Sequence, residues 1–470
     1  MNGECAACGA KATLRCSQCK GPYYCSTTCQ KTDWKAHKRV CQVPEPVHCC
    51  FRVETCETKG KYLVATSGIA IGDLIIDDQA ILVVHHTGDL LSSRMAKVLQ
   101  EVPHFVGSSR GTRTFILVVM YFLDAALKWQ AAGNERSTGG PWQVFDLYCP
   151  LDKLSTIETE EMASLAATVH GTMLKSGCPN IISPEQMLQL VVIYRDNSLD
   201  GPDGTYSSLF ATACRAEHNC SPNAYHYLHT SSRVTIRAIA PIKSGSSISI
   251  AYIPYYLPHF DRQRALREHY YFECRCHTCV HGLDLARAFV CAHCTGVAHP
   301  VGSGGWMCCK CSRGVTTHVM TACRQAEAKL MQQLDVDDEV DIIATLDERL
   351  LHPTHYLMYR ALVRRVRQEV AFGHYSTVIL LSDYLIQGAA QVCGPYSEPL
   401  YSNYCLLGRA SAAMERPDDA QRCFQRALNI AAVSCGPDSQ RHKDVLEELE
   451  RLNPVPQAPI ADSWEDEADP

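Results

Sequence analysis

The chain has 470 residues, with 44 lysines and arginines against 50 aspartates and glutamates, a formal net charge of −6. That balance excludes a protein basic along its whole length, and 46% hydrophobic with 20% charged residues excludes global disorder. What departs from ordinary composition is 27 cysteines beside 20 histidines. The N-terminal MNGECAACGAK has no basic stretch followed by an apolar one, and the apolar run at residues 115 to 123 is closed by Asp124, short of a bilayer span. With no lipidation motif either, the expectation is a soluble intracellular protein without a membrane partner. In a reducing compartment, clustered cysteines bind metal rather than pair as disulfides.

Residues 1 to 45 form the first predicted module. They carry Cys5, Cys8, Cys16, Cys19, Cys25, Cys29, His37 and Cys41, spaced C-x2-C, C-x2-C, C-x3-C and H-x3-C. Eight soft ligands make two closed tetrahedral sites suited to Zn²⁺. DWKAHKRVC reads as helix, so His37 and Cys41 share a face. So short a segment cannot bury enough apolar surface alone, and the metal would supply much of its folding energy. All eight positions resemble a MYND finger. That resemblance implies interleaved sites, Cys5, Cys8, Cys25 and Cys29 on one ion and Cys16, Cys19, His37 and Cys41 on the other. It also implies a docking surface for proline-rich peptides. Seven basic residues against Glu4 and Asp33 within residues 1 to 41 leave a nucleic-acid partner open, though no base-reading pattern accompanies them.

From residue 51 to about 80, FRVETCETKGKYLVATSGIAIGDLIIDD alternates apolar and polar positions between breakers and predicts strands in a segment 46 to 91. Residues 92 to 195 are helical in period, as in RTFILVVMYFLDAALKW and ETEEMASLAATVHGTMLKSG. Strands return in NAYHYLHTSSRVTIRAIAPIKSGSSISIAYI, with a turn at Gly245 and Ser246, in a segment 196 to 260.

EHNCSPN at 217 to 223, SISIAY ending at Tyr252, and FECRCHTC at 272 to 279 resemble a SET domain interrupted by a helical insert. With the finger, they resemble the SET- and MYND-domain (SMYD) protein-lysine methyltransferases, and within them a divergent SmydA-like branch. The resemblance implies an α+β fold, S-adenosyl-L-methionine as cofactor and a histone or non-histone protein lysine as substrate. It implies Tyr252 as the catalytic residue, orienting amine and methyl group. It implies a cofactor site from Gly60, Lys61, Tyr62, Asn197, Glu217, His218, Tyr252 and Phe272. There are four departures from the family pattern: Tyr62 replaces a glycine, Glu217 an asparagine, Asn219 a serine, and Ser246 with Ser247 an acidic pair. A silent scaffold or corepressor that keeps the fold is therefore the second reading. The family also implies transcriptional regulation in nucleus and cytoplasm by a monomer.

Residues 261 to 318 add two more metal patterns. Cys274, Cys276 and Cys279 lack a fourth ligand, which the family supplies from Cys220. Cys291, Cys294, Cys308 and Cys311 have the spacing of a zinc ribbon, with Cys309 as a competing neighbour. Fifteen cysteines and one histidine then make sixteen ligands for four zinc ions. The other cysteines, such as Cys214, Cys323 and Cys405, read as small packing residues. Residues 319 to 452 are helical in pattern, and QGAAQVCGP and NIAAVSCGP recur at an offset of 42. Tyr404, Leu407, Gly408, Ala420, Phe424 and Ala427 occupy the large and small positions of a tetratricopeptide (TPR-like) repeat. The tail, residues 453 to 470, carries five acids and no base and reads as disordered.

Overall fold

A computed structural model describes residues 3–12, 14–15, 23–37, 50–56, 60–102, 109–135, 139–294, 296–301, 305–336 and 350–452. The chain forms two compact units, Met1–Arg52 and Val53–Pro470.

The first unit has four two-residue strands, β1 (Gly3–Glu4), β2 (Lys11–Ala12), β3 (Leu14–Arg15) and β4 (Tyr23–Tyr24), followed by helix α1 (Thr27–His37). Among its described residues the buried core is Cys5, Ala12 and Tyr24, flanked by Tyr23, Cys29 and Trp34. So little apolar burial cannot offset the entropy of ordering the segment, which is why the thiolates must hold it.

The second unit opens with β5 (Phe51–Cys56) paired to β6 (Gly60–Ala65), then the long strand β7 (Leu74–His85). Helices follow: α2 (Ser93–Glu101), α3 (Arg110–Ala131), α4 (Thr156–Lys175) and α5 (Pro184–Asn197). Their starts are written locally. Ser155 with Glu158, and Ser183 with Gln186, close full capping boxes on α4 and α5. Among the described residues, α3 is the one helix long and apolar enough to cross a membrane. Here residues 115 to 124 are buried as the centre of the main core, packed with Val169, Met173, Leu190 and Tyr194 of α4 and α5.

After α5 come β8 (Leu199–Asp200), β9 (Tyr206–Phe210), β10 (Glu217–His218), β11 (Ala224–Thr230), β12 (Arg233–Ala238) and β13 (Ser249–Ile250). Four of them join β7 in an antiparallel sheet of order β11-β12-β7-β9-β8, and the other two, β10 and β13, form a separate parallel pair. The stretch SISIAY contributes only Ser249 and Ile250 as strand, shorter than its alternation predicts. The reason is its partners. β10 offers two residues, and the Asn223 side chain takes over next to them, donating to Ser247 O (2.8 Å) and accepting from Ser249 N (2.9 Å). Gly245 makes the predicted turn at φ +82°, with Ser246 N bonded to Lys243 O.

Helices α6 (His259–Tyr270) and α7 (His277–Val280) precede a three-stranded ribbon, β14 (Phe289–Val290), β15 (Val297–Val301) and β16 (Gly305–Cys308). The C-terminal part is helical: α8 (Thr317–Asp335), α9 (Tyr356–Ala371), α10 (Tyr375–Val392), α11 (Glu398–Ala413), α12 (Pro417–Ser434) and α13 (Gln440–Leu452). The repeated CGP segments end α10 and α12, with Gly394 and Gly436 at φ +84° and +95°. The helical part is tied to the sheet by arginines. Arg441 donates to the Tyr225 hydroxyl (3.1 Å) and lies over the Tyr227 and Tyr401 rings, while Arg233 bridges Asp77 and Asp438, each at 2.9 Å. Tyr256 stacks on Tyr359 at 3.9 Å. The expected tail, residues 453 to 470, lies outside the described residues.

Gly408 and Phe424 are the small and large partners of the repeat: a Cβ on Gly408 would stand 2.7 Å from the Phe424 ring. Gly408→Val is expected to cost about 1–3 kcal/mol of local stability by overpacking. Faster amide hydrogen exchange confined to α11 and α12 would report it.

Candidate active site

Three sets of four cysteines converge among the described residues, each with its sulfurs within 4.8 Å of one another: Cys5, Cys8, Cys25 and Cys29; Cys220, Cys274, Cys276 and Cys279; and Cys291, Cys294, Cys308 and Cys311. Tetrahedral zinc with Zn–S near 2.3 Å places sulfurs about 3.8 Å apart. The observed Sγ–Sγ separations include 3.5 Å for Cys8–Cys25, 3.5 Å for Cys220–Cys279, 3.9 Å for Cys220–Cys274 and 3.8 Å for Cys291–Cys311. The donor sets therefore fit Zn²⁺ in chemistry and spacing. Cys309 is exposed and outside the ribbon set, which settles the competition in favour of Cys308. Cys16, Cys19 and Cys41, and the side chain of His37, lie outside the described residues, and with them the second site of the finger.

The middle cluster is built by two segments far apart in sequence. Cys220 follows β10; the other three follow α6. Gln263 on α6 fixes Cys274 through two hydrogen bonds, Nε2 to Cys274 O (2.8 Å) and Oε1 from Cys274 N (3.0 Å). Arg262, nearly buried, donates to Leu257 O (2.6 Å) and faces Asp284 (3.4 Å). From this cluster a short chain of contacts leads to Tyr252. His218 Nε2 stands 3.4 Å from Cys220 Sγ, and His218 Nδ1 accepts the Tyr252 backbone N–H at 3.1 Å. The accepting Nδ1 assigns the ring hydrogen to Nε2, facing the sulfur.

Tyr252 is held at its other end as well. Its hydroxyl donates to Ala216 O at 2.6 Å. Burial pushes its pKa well above the ordinary value, with the charges of Tyr270, Cys214 and Glu217 acting in the same direction. It therefore stays a neutral hydroxyl, unsuited to abstract a proton and suited to orient a partner. Around it the rings gather: Tyr270 at 5.0 Å, His218 at 5.3 Å, and Phe272 at 6.1 Å from His218. Tyr252, His218 and Phe272 are thus brought together, as the SET-domain resemblance implies.

The remaining predicted residues line an adjoining edge. Gly60 sits at φ +70°, where the Tyr148 ring would be 3.3 Å from any Cβ. Lys61 and Arg215 both grip the Asp146 carboxylate, Arg215 at 2.6 Å, and the Lys61 hydrogen bond holds that carboxyl below its usual range. Tyr62 donates from its hydroxyl to Glu54 at 2.9 Å, so its ring is turned toward β5. Asn197 ends α5 and donates to Tyr148 O (2.9 Å) and Ile193 O (2.7 Å). Glu217 is engaged through its backbone in β10, its N–H on Ile248 O at 3.2 Å. Sequence reasoning missed Tyr270, Asp146, Arg215 and Gln263. The aromatic run Tyr270-Tyr271-Phe272 ahead of the cysteines was the available signal for the first; a salt bridge between segments 85 residues apart leaves none.

Comparison with known proteins places names on these segments. A MYND finger model matches residues 5–41, and a SET domain model matches residues 60–253. The chain is 21% identical to N-lysine methyltransferase SMYD2-B of Danio rerio over 441 residues, 93% of this chain and 86% of that one. It is 20% identical to N-lysine methyltransferase SMYD2 of Homo sapiens over 456 residues, 93% and 85% of the two chains. Over 42 residues it is 57% identical to human Tudor domain-containing protein 1, which is 9% of this chain and 4% of that protein. Among solved structures, Rubisco LSMT bound to AdoMet aligns over 89% of this chain and 95% of that one at 10% identity, with a TM-score of 0.33.

The ribbon and middle clusters give a direct test. Cys276→Ser is expected to lower the zinc content by one equivalent per chain, and Cys309→Ser to leave it unchanged. Elemental analysis of the two purified variants beside wild type reads both outcomes.

Proposed function

The chain belongs to the SET- and MYND-domain protein family, and on that premise we propose that it transfers a methyl group from S-adenosyl-L-methionine to the ε-amine of a protein lysine. The observation that carries this reading is the fixed hydroxyl of Tyr252. It is bonded to Ala216 O, backed through His218 by the cysteine cluster, and ringed by Tyr270 and Phe272.

The residues present fit the cofactor. Gly60 supplies backbone without a side chain and Phe272 a flat apolar face for an adenine, while Lys61 and Arg215, paired with Asp146, set the charge of the adjoining wall. Tyr62 is held through its hydroxyl on Glu54 of β5. When bound, the cofactor supplies an electrophilic sulfonium methyl. The protein's part is alignment. A dry aromatic surround excludes water, and the neutral Tyr252 hydroxyl orients the attacking amine without reacting itself. The match of residues 5–41 to a MYND finger supports a second role in that segment, the recruitment of proline-rich protein segments.

Calorimetric titration with S-adenosyl-L-methionine should give saturable heat. Tyr252→Phe should leave that binding and the zinc content intact while lowering kcat by about 100-fold or more, the loss typical of one preorganised hydrogen-bonding group. Absence of both heat and thermal shift at millimolar cofactor would overturn the reading in favour of a scaffold.

A further inference from the structure

Three consecutive residues end α5, Arg195, Asp196 and Asn197. Arg195 donates from Nη2 to the Tyr271 hydroxyl (2.8 Å) and lies 5.4 Å from that ring. Asn197 holds Tyr148 O. Between them, Asp196 has a side chain only 2% exposed, with Oδ1 paired to Arg195 Nε at 2.8 Å. Its second oxygen, Oδ2, has no hydrogen-bond partner among the described residues.

A buried carboxylate oxygen left unmet is costly, and proteins retain one where something else meets it. The neighbouring cations are already committed. Arg195 serves Oδ1 and Tyr271, and Lys153 donates to the Tyr148 hydroxyl at 2.8 Å. The charge of Asp196 reaches the aromatic cluster: after burial itself, Asp196 and then Asp200 raise the pKa of Tyr270, whose ring lies 5.0 Å from Tyr252. Asp200 has its own partner in the Ser207 hydroxyl at 2.5 Å. Asp196 Oδ2 is therefore an unmet buried acceptor, one arginine away from the Tyr270-Tyr271 pair through the bond of Arg195 to the Tyr271 hydroxyl.

Resting on the methyltransferase reading, we propose that Asp196 Oδ2 receives the ε-ammonium of the target lysine and so selects a cationic side chain for the site. A lysine brings an apolar stem that the tyrosine rings accept and a compact head with three N–H donors. One donor meets Oδ2; the rings stabilise the remaining charge from their faces. A neutral side chain of the same length would fill the rings and leave the carboxylate unmet, the kind of mismatch that discriminates most strongly. The methylated product keeps its charge and can keep that contact. Asp196 thus acts in binding and orientation, ahead of methyl transfer.

The test uses the full, zinc-loaded chain. S-adenosyl-L-homocysteine is titrated first, and its binding or silence bears on the methyltransferase reading alone. Degenerate peptide mixtures with a central lysine or a central norleucine are then compared by fluorescence anisotropy, with the cofactor product present if it binds and without it otherwise. Wild type should favour lysine by about tenfold or more. Asp196→Asn, which keeps shape and a partner for Arg195, should reduce the preference to about twofold. It should leave zinc content and S-adenosyl-L-homocysteine affinity unchanged, and raise KM for lysine peptide with little change in kcat. An Asn variant that keeps the wild-type preference overturns the proposal. Asp196→Ser repeats the comparison if the Asn variant does not fold.

Discussion

Four sulfurs decide the geometry of the site. Cys220 and Cys274, 54 residues apart, are drawn with Cys276 and Cys279 into one cluster, so the segment after α6 is bound to the loop after β10. A cross-link closing a loop of that length removes about 4 kcal/mol of denatured-state entropy by the chain model. Its larger effect is positional. His218 stands between sulfur and the Tyr252 backbone, and Phe272 and Tyr270 arrive on the same clamped segment. The clamp acts together with the Tyr270 hydroxyl, which donates to Tyr252 O at 3.4 Å, and with Arg195, which holds the Tyr271 hydroxyl at 2.8 Å. The parallel pairing of β10 with β13 then fixes the remaining degree of freedom, because it sets His218 opposite Ile250, two residues before Tyr252.

The same device serves three different ends along the chain. In the first unit the thiolates stand in for a core that, among the described residues, amounts to three buried side chains. In the ribbon they accompany a real one, with Phe289 stacked on Trp306 at 4.2 Å and both buried beside α8 and α9. There a salt bridge from Arg287 to Glu327, 2.7 Å, adds a charged tie. Burial alone would raise the Glu327 pKa, but His355 and Arg287 outweigh it and hold the carboxyl at about 2. Of the described cysteines outside the clusters, Cys178, Cys323, Cys393, Cys405, Cys423 and Cys435 are buried as small apolar residues, Cys50, Cys56, Cys149 and Cys214 are half-buried, and Cys309 is exposed.

Much of this was legible from residue spacing. Cysteine intervals mark the metal-binding segments, while the Cys5, Cys8, Cys25 and Cys29 set and the reach to Cys220 followed from the family resemblance; glycine before proline marks helix ends because only glycine takes the left-handed turn there. Helices α3, α4 and α5 carry both period and caps. Other features leave no local trace. Asp146 meets Lys61 and Arg215 across 85 and 69 residues, and Tyr62 turns to Glu54 for reasons that lie in the β5–β6 pairing. The shortness of β13 was equally hidden, since its alternation reads as a full strand while Asn223 ends the ladder. Tyr270 was visible as a residue but not as a neighbour of Tyr252. Only the fold of α6 makes it one.

The attachment of the helical part has a bearing on how the protein can be dissected. A Cβ on Gly436 would stand 2.7 Å from the Arg237 guanidinium, Arg441 covers the Tyr225 hydroxyl, and Asp438 shares Arg233 with Asp77. One turn of six residues therefore caps the outer strands β11 and β12 of the catalytic sheet. A truncation intended to isolate the sheet-bearing half by stopping before that turn would strip away a lid of charge and rings and uncover a buried tyrosine. Fragment boundaries for expression are better drawn to keep it.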